Sequence, residues 1–242
     1  KILIGYQNTF LKNLMQINRK VVLITGTSSG IGKYLGSKLS KKFYVVGISR
    51  RSKKIFNSNY FHYRLDINNF SKMQKVIEKI LIKFERIDIL VNNAGTNISH
   101  GNIYFVSKDL IKETIYTNLI STILLTREVL RNMIMKKNGK IINIGSSVIN
   151  LLPEGESIYA ASKAGIISFS KVLSKEIKKF NITSNCVSPF IVNTQMIKKI
   201  NNKKITEILQ KKNKQKNKLS EIYNIIIKII NDNKINGKNF SL

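Results

Sequence analysis

A chain of 242 residues, 43% of them apolar, can bury a sizeable core and is not a disordered segment. Its single cysteine, Cys186, excludes an internal disulfide framework and fits a reducing, cytoplasmic setting. The net charge of +29 is large enough to attract nucleic acid or an anionic membrane, but no nucleic-acid recognition motif accompanies it and no apolar run is long enough to span a bilayer.

Residues 1–18 lack the apolar core and cleavage site of a secretory signal and read as an N-terminal extension of unknown role. The folded pattern starts at Arg19, and 19–242 reads as one domain without a repeat or a Pro/Gly-rich linker. Val21–Ile24 is the first apolar strand. Thr25-Gly26-Thr27-Ser28-Ser29-Gly30-Ile31-Gly32 follows it and opens a helix over Ile31–Lys42. Glycines in that context allow a tight turn, a close backbone approach to a pyrophosphate, and helix–strand packing. The helix N-terminus offers unpaired N–H groups and partial positive charge to phosphates. A second strand covers Tyr44–Ile48. After it come Ser49-Arg50-Arg51 and no acid, where an acid would bind a ribose 2′-hydroxyl and Arg a 2′-phosphate. Arg50, supported by Ser49, therefore points to NADP(H).

Tyr60–Leu65 takes a strand's place, Ser71–Phe84 is helical, and Ile87–Val91 is a buried strand. Lys108–Lys136 reads as one long helix, Ile141–Ile144 as a strand, Tyr159–Phe180 as a helix, and Ile182–Val187 as a strand. A Lys-rich segment, a helix over Leu219–Ile230 and a last strand from Asn239 close the chain. Strands alternating with helices predict an α/β fold, a doubly wound parallel sheet of the Rossmann type with helices on both faces.

Tyr159 and Lys163 stand four apart on one helix and so share a face. An ammonium beside a phenol lowers its pKa, which suits Tyr159 to proton transfer at a carbonyl oxygen. Ser146, after the strand ending at Ile144, can hydrogen-bond the same oxygen. This set, with Thr25–Gly32, Asp66, Asn92-Asn93-Ala94-Gly95, Asn118 and Ser188-Pro189, resembles the short-chain dehydrogenase/reductase family over approximately Arg19–Leu242.

The resemblance implies an oxidoreductase that moves a hydride between NADP(H) and a carbonyl or alcohol carbon. It makes Tyr159 the acid/base and Ser146, thirteen residues earlier, the substrate-orienting serine. Lys163 would tune Tyr159 and hold the nicotinamide ribose, and Asn118 would hold a water in the proton relay. Gly26, Ser28, Ser29, Gly30, Ile31 and Gly32 would form the cofactor-binding loop, with Gly30 nearest the pyrophosphate and Gly32 packing helix against strand. Asp66 and Ile67 would meet the adenine. Asn93, Ala94, Gly95, Pro189 and Thr194 would line the remaining cofactor path. No metal is implied. Phe190 departs from the family's glycine after the proline, and the lid is expected near 190–218. Among relatives the chain most resembles 3-oxoacyl-acyl-carrier-protein reductases, which implies a carrier-bound or small carbonyl substrate and a homodimer or homotetramer. Sugar, nucleotide-sugar and general carbonyl reduction are the alternatives. A non-catalytic NADP- or nucleic-acid-binding role is opposed by the intact Asn118, Ser146, Tyr159 and Lys163 set.

Overall fold

The computed structural model describes residues 19–51, 56–190 and 219–242. The expected N-terminal extension, Thr194 and nearly all of the expected lid lie outside these residues. The described strands are β1 Val21–Thr25, β2 Tyr44–Ser49, β3 Tyr60–Arg64, β4 Ile89–Asn92, β5 Gly139–Ile144, β6 Ile182–Ser188 and β7 Asn239–Ser241. The described α-helices are α1 Gly30–Leu39, α2 Phe70–Phe84, α3 Lys108–Ile115, α4 Ser121–Lys136, α5 Val148–Leu151, α6 Ser157–Glu176 and α7 Leu219–Asn231.

The strands form one parallel sheet in the order β3-β2-β1-β4-β5-β6-β7. Successive residues of a strand face opposite sides, and both sides are apolar here. Val21 and Leu23 join a core with Val46 and Leu90, covered by Met73, Ile77 and Ile80 of α2 and Leu125, Val129 and Met133 of α4. Val22 and Ile24 join a second core with Val45 and Val91, covered by Leu35 and Leu39 of α1 and by α7. On α7, Ile222, Ile226 and Ile229 recur at helical spacing and are fully buried. Burial on both faces is why the strands read as unbroken apolar runs rather than alternating ones. The chain order reverses between β1 and β4, which opens a crevice at the carboxyl ends of these strands.

Two expected elements differ from their sequence reading. Strand β4 starts at Ile89, not Ile87, because the Ile87 N–H donates to the Asn132 side chain rather than to a neighbouring strand. Just after it, the buried Asp88 carboxylate accepts from the Val21 N–H at 2.8 Å and from Arg86. The long helix over 108–136 is broken by a π-turn at Tyr116–Ile120. There the Ser121 N–H reaches back to the Tyr116 carbonyl, and the Thr122 hydroxyl donates to the Asn118 carbonyl at 3.0 Å. Such wide turns rotate the residues that follow and are frequent at functional sites.

Candidate active site

The crevice is a cleft of about 710 Å³ running from the glycine loop to the start of α6, a size typical of ligand sites. Gly26 and Gly30 sit at φ +74° and +55°, the left-handed region that other residues enter only with strain. No side chain caps α1: its N-cap residue, Ser29, makes no such bond, and its first turn holds no acid. The helix therefore presents its first N–H groups to the cleft, beside Ser28, Ser29, Gly30 and Ile31. Gly32 does not line the cleft. It lies behind the loop, where a Cβ would overlap Asn93 Nδ2 and the Gly26 carbonyl oxygen.

Asn93 ties this loop to β4. Its side chain donates to the carbonyls of Thr25 and Gly26 at 2.8 and 3.3 Å. The Asn93 and Ala94 N–H groups both donate to Thr25 Oγ1, at 3.0 and 2.9 Å. Asn93, Ala94 and Gly95 line the cleft. Asn92 points elsewhere and bonds Thr126 and Asn143, joining α4 and β5 to β4.

At one end of the cleft lie Ser49, Arg50, Arg51, Asp66 and Ile67. Both arginines are exposed. Ser49 departs from the expectation that it donates to the cofactor: its hydroxyl proton goes to the Arg51 carbonyl at 2.8 Å. The oxygen also meets His62 Nε2 at 3.3 Å, and His62 Nδ1 meets the Tyr60 hydroxyl at 3.1 Å. Burial holds the His62 imidazole below its usual pKa, against the opposing effect of the Arg51 carbonyl. Ser49 and His62 thus position the backbone that carries the arginines.

Tyr159 and Lys163 of α6, Ser146 and Pro189 all reach the cleft, and Phe190 flanks it. Ser146 Oγ accepts from the Val148 N–H at 3.2 Å and acts on the Tyr159 phenol beside it. Lys163 is 5% exposed and donates to the Ile144 carbonyl at 2.9 Å. The expected lowering of the phenol is not found. Burial pushes Tyr159 up to about 12, the Ser146 hydroxyl pulls it down, and the Glu156 charge adds to the rise. Burial also brings Lys163 down to about 8. Its ammonium is directed at a carbonyl and stands 5.8 Å from the Tyr159 ring centre, so it does not offset the desolvation of the phenol.

Asn118, on the π-turn, is buried behind the cleft. Its amide donates to the Thr96 carbonyl at 2.9 Å and Ser162 Oγ at 3.0 Å, and accepts from the Thr96 N–H at 2.8 Å. Ser162 in turn donates to the Tyr159 carbonyl at 2.7 Å. Gly95 fills the gap between these groups: a Cβ there would lie 3.3 Å from Asn118 Oδ1 and 3.5 Å from Lys163 Nζ. Sequence reading missed Glu156 and Asn97, which also line the cleft, and His100 beside them. Their only signal was the polar character of the two loops that carry them.

An uncapped helix N-terminus after a glycine turn, an arginine pair and a phenol–ammonium pair on one cleft in a doubly wound sheet are the features of a dinucleotide-dependent oxidoreductase. Residues 20–205 match the short chain dehydrogenase family, and the chain belongs to that family. It is 38% identical over 195 residues to the 3-oxoacyl-(acyl-carrier-protein) reductase FabG of Buchnera aphidicola from Acyrthosiphon pisum, covering 77% of this chain and 79% of that one. Its identity to the Escherichia coli FabG is 34% over 203 residues, covering 81% and 82%. Among solved structures it is similar to ElxO with NADP bound, at 27% identity and a TM-score of 0.82, covering 92% and 96% of the two chains. Among the described residues no helix is long and apolar enough to cross a membrane, and no cluster of His, Cys, Asp and Glu is arranged to hold a metal ion.

Proposed function

We propose that the chain is an NADPH-preferring reductase of 3-oxoacyl thioesters carried on an acyl carrier protein, working as a homodimer or homotetramer in the cytoplasm. The observation that carries this reading is the single cleft that holds the uncapped α1 N-terminus, Arg50 and the Ser146–Tyr159–Lys163 group. The similarity to two FabG reductases supports the thioester substrate, and the Lys-rich segment at 198–218 suits an acidic carrier.

The residues present fit the cofactor. Gly26, Gly30 and the first N–H groups of α1 would hold the pyrophosphate, and Arg50 the 2′-phosphate. Asp66 and Ile67 would flank the adenosine end, and Lys163, Asn93, Ala94, Gly95 and Pro189 would serve the nicotinamide side. Bound NADPH supplies a hydride to the carbonyl carbon. Tyr159, protonated at neutral pH because its phenol lies near 12, gives its proton to the carbonyl oxygen. Ser146, whose oxygen accepts from the Val148 N–H, would donate its hydroxyl hydrogen to that carbonyl oxygen in place of the phenol. Asn118 positions this group through Ser162 and the Thr96 backbone. The test follows NADPH oxidation with an acetoacetyl thioester, simple ketones and sugars. The thioester is expected to turn over fastest. Faster turnover of ketones or sugars would instead make the chain a general carbonyl or sugar reductase.

A further inference from the structure

Proton and hydride transfer do not require the negative charge that the cleft carries beside Tyr159. Glu156 is 3% exposed, lines the cleft and precedes the first turn of α6. Both of its oxygens are held: Oε2 accepts from Asn97 Nδ2 at 2.7 Å, and Oε1 meets His100 Nδ1 at 2.8 Å. The carboxylate therefore cannot swing out to solvent when a ligand enters. Asn97 Oδ1, in the same cluster, is buried without a hydrogen-bond partner. The cluster also lies where the Gly101 N–H donates to the Gly155 carbonyl at 2.9 Å, joining the loop after β4 to the loop before α6. A brace between two loops needs hydrogen bonds but no charge, and a glutamine would serve it at a lower desolvation cost.

A charge held out of water acts at longer range than one in solvent. Glu156 is the N-cap residue of the helix that carries Tyr159, three residues before it, and lines the same cleft, so its charge also acts on an anion bound against that phenol. In a free 3-oxo acid the carboxylate is two bonds from the reacting carbonyl carbon. In an ester or thioester the same position is neutral.

We propose that Glu156, fixed by Asn97 and His100, is a specificity-determining residue that excludes substrates with a free carboxylate next to the reacting carbonyl, so that the cleft admits neutral 3-oxo esters and thioesters and rejects free 3-oxo acids. This rests on carbonyl binding at Tyr159 and does not depend on which carrier delivers the substrate.

Methyl acetoacetate and acetoacetate differ by one methyl group and one charge and serve as the probes. Their binding to the NADPH complex is read by nicotinamide fluorescence. The measurements use Tyr159→Phe, which stops turnover, alone and combined with Glu156→Gln or Glu156→Asp. Glu156→Gln is expected to tighten acetoacetate about tenfold, the size of a partly screened repulsion between charges several ångström apart. The ester should move less than twofold, and Glu156→Asp, which keeps the charge, should still reject the acid. Equal weakening of both probes in the glutamine variant, or acid binding restored equally by Asp and Gln, would overturn the proposal. Turnover separates this from the broader reading. Tightening of acetoacetate by Glu156→Gln, with no reduction of either probe or of a thioester when Tyr159 is intact, would keep the charge filter and overturn the reductase assignment.

Discussion

Replacing Gly32 by alanine sets two effects against each other. Within a helix, alanine is favoured over glycine by up to about 1 kcal/mol, so propensity alone predicts a more stable α1. Against this, the new Cβ would overlap Asn93 Nδ2 and the Gly26 carbonyl oxygen and stand 2.9 Å from the Gly26 carbonyl carbon. Two of the three contacts are backbone atoms of the phosphate loop, which cannot rotate away as a flexible side chain would. Overpacking of this kind costs about 1–3 kcal/mol. Displacing Asn93 from the Thr25 and Gly26 carbonyls adds about 1 kcal/mol per lost hydrogen bond. The clash wins, with a net loss of about 2–3 kcal/mol. With a urea m-value of about 2–3 kcal/mol/M, the unfolding midpoint should fall by roughly 1 M. Because the strain falls on the loop proposed to hold the pyrophosphate, NADPH affinity measured by fluorescence titration should fall at least tenfold. A variant with the wild-type midpoint and wild-type NADPH affinity would refute the packing argument.

Tyr159→Phe should abolish carbonyl reduction, at least about a hundredfold in kcat, while NADPH still binds; a variant with ordinary turnover would remove Tyr159 from the proton step. Arg50→Asp should move the NADPH-to-NADH preference by tenfold or more toward NADH, since it repels the 2′-phosphate and offers the ribose an acceptor; an unchanged ratio of kcat/KM would show that the phosphate is held elsewhere. For the pH profile, the Lys163 pKa is lowered from 10.5 to about 8, so its ammonium is present below that pH and lost above it, well before Tyr159 ionises near 12. The rate of reduction should therefore fall as pH rises through about 8, and a profile flat to pH 10 would show that the Lys163 charge is not needed.

Much of this architecture is legible in the sequence. Unbroken apolar runs such as Val21–Ile24 register burial on both faces, and α7 carries its helical period openly. The glycine loop and the Tyr159/Lys163 pair were legible because local spacing encodes them: a turn, a helix start, one helical face. What stayed hidden depends on contacts across the fold. The π-turn at Tyr116–Ile120 has no periodic signature, since it is held by tertiary bonds from Asn118 to Thr96 and Ser162. The Ser49–His62 contact joins neighbouring strands thirteen residues apart, and Glu156 meets Asn97 across 59. Sequence spacing brings an ammonium near the phenol but does not reveal the desolvation that outweighs it.

Lys140 shows a different kind of dependence. This β5 residue is 5% exposed, and its ammonium donates to the carbonyls of Ile229 and Asp232, at and just beyond the end of α7, at 2.8 and 3.0 Å. Burial and the Lys20 charge lower its pKa to about 8, so the Asp232 charge and these two carbonyls are what make a cation tolerable beside the sheet. They lie 89 and 92 residues later in the chain. On a ribosome, which releases the chain from its amino end, strand β5 emerges long before the groups that can satisfy it. The sheet's second face therefore stays unsealed until α7 arrives, and a nascent chain halted before Ile229 is left with a cation that must remain in water and hold that face open.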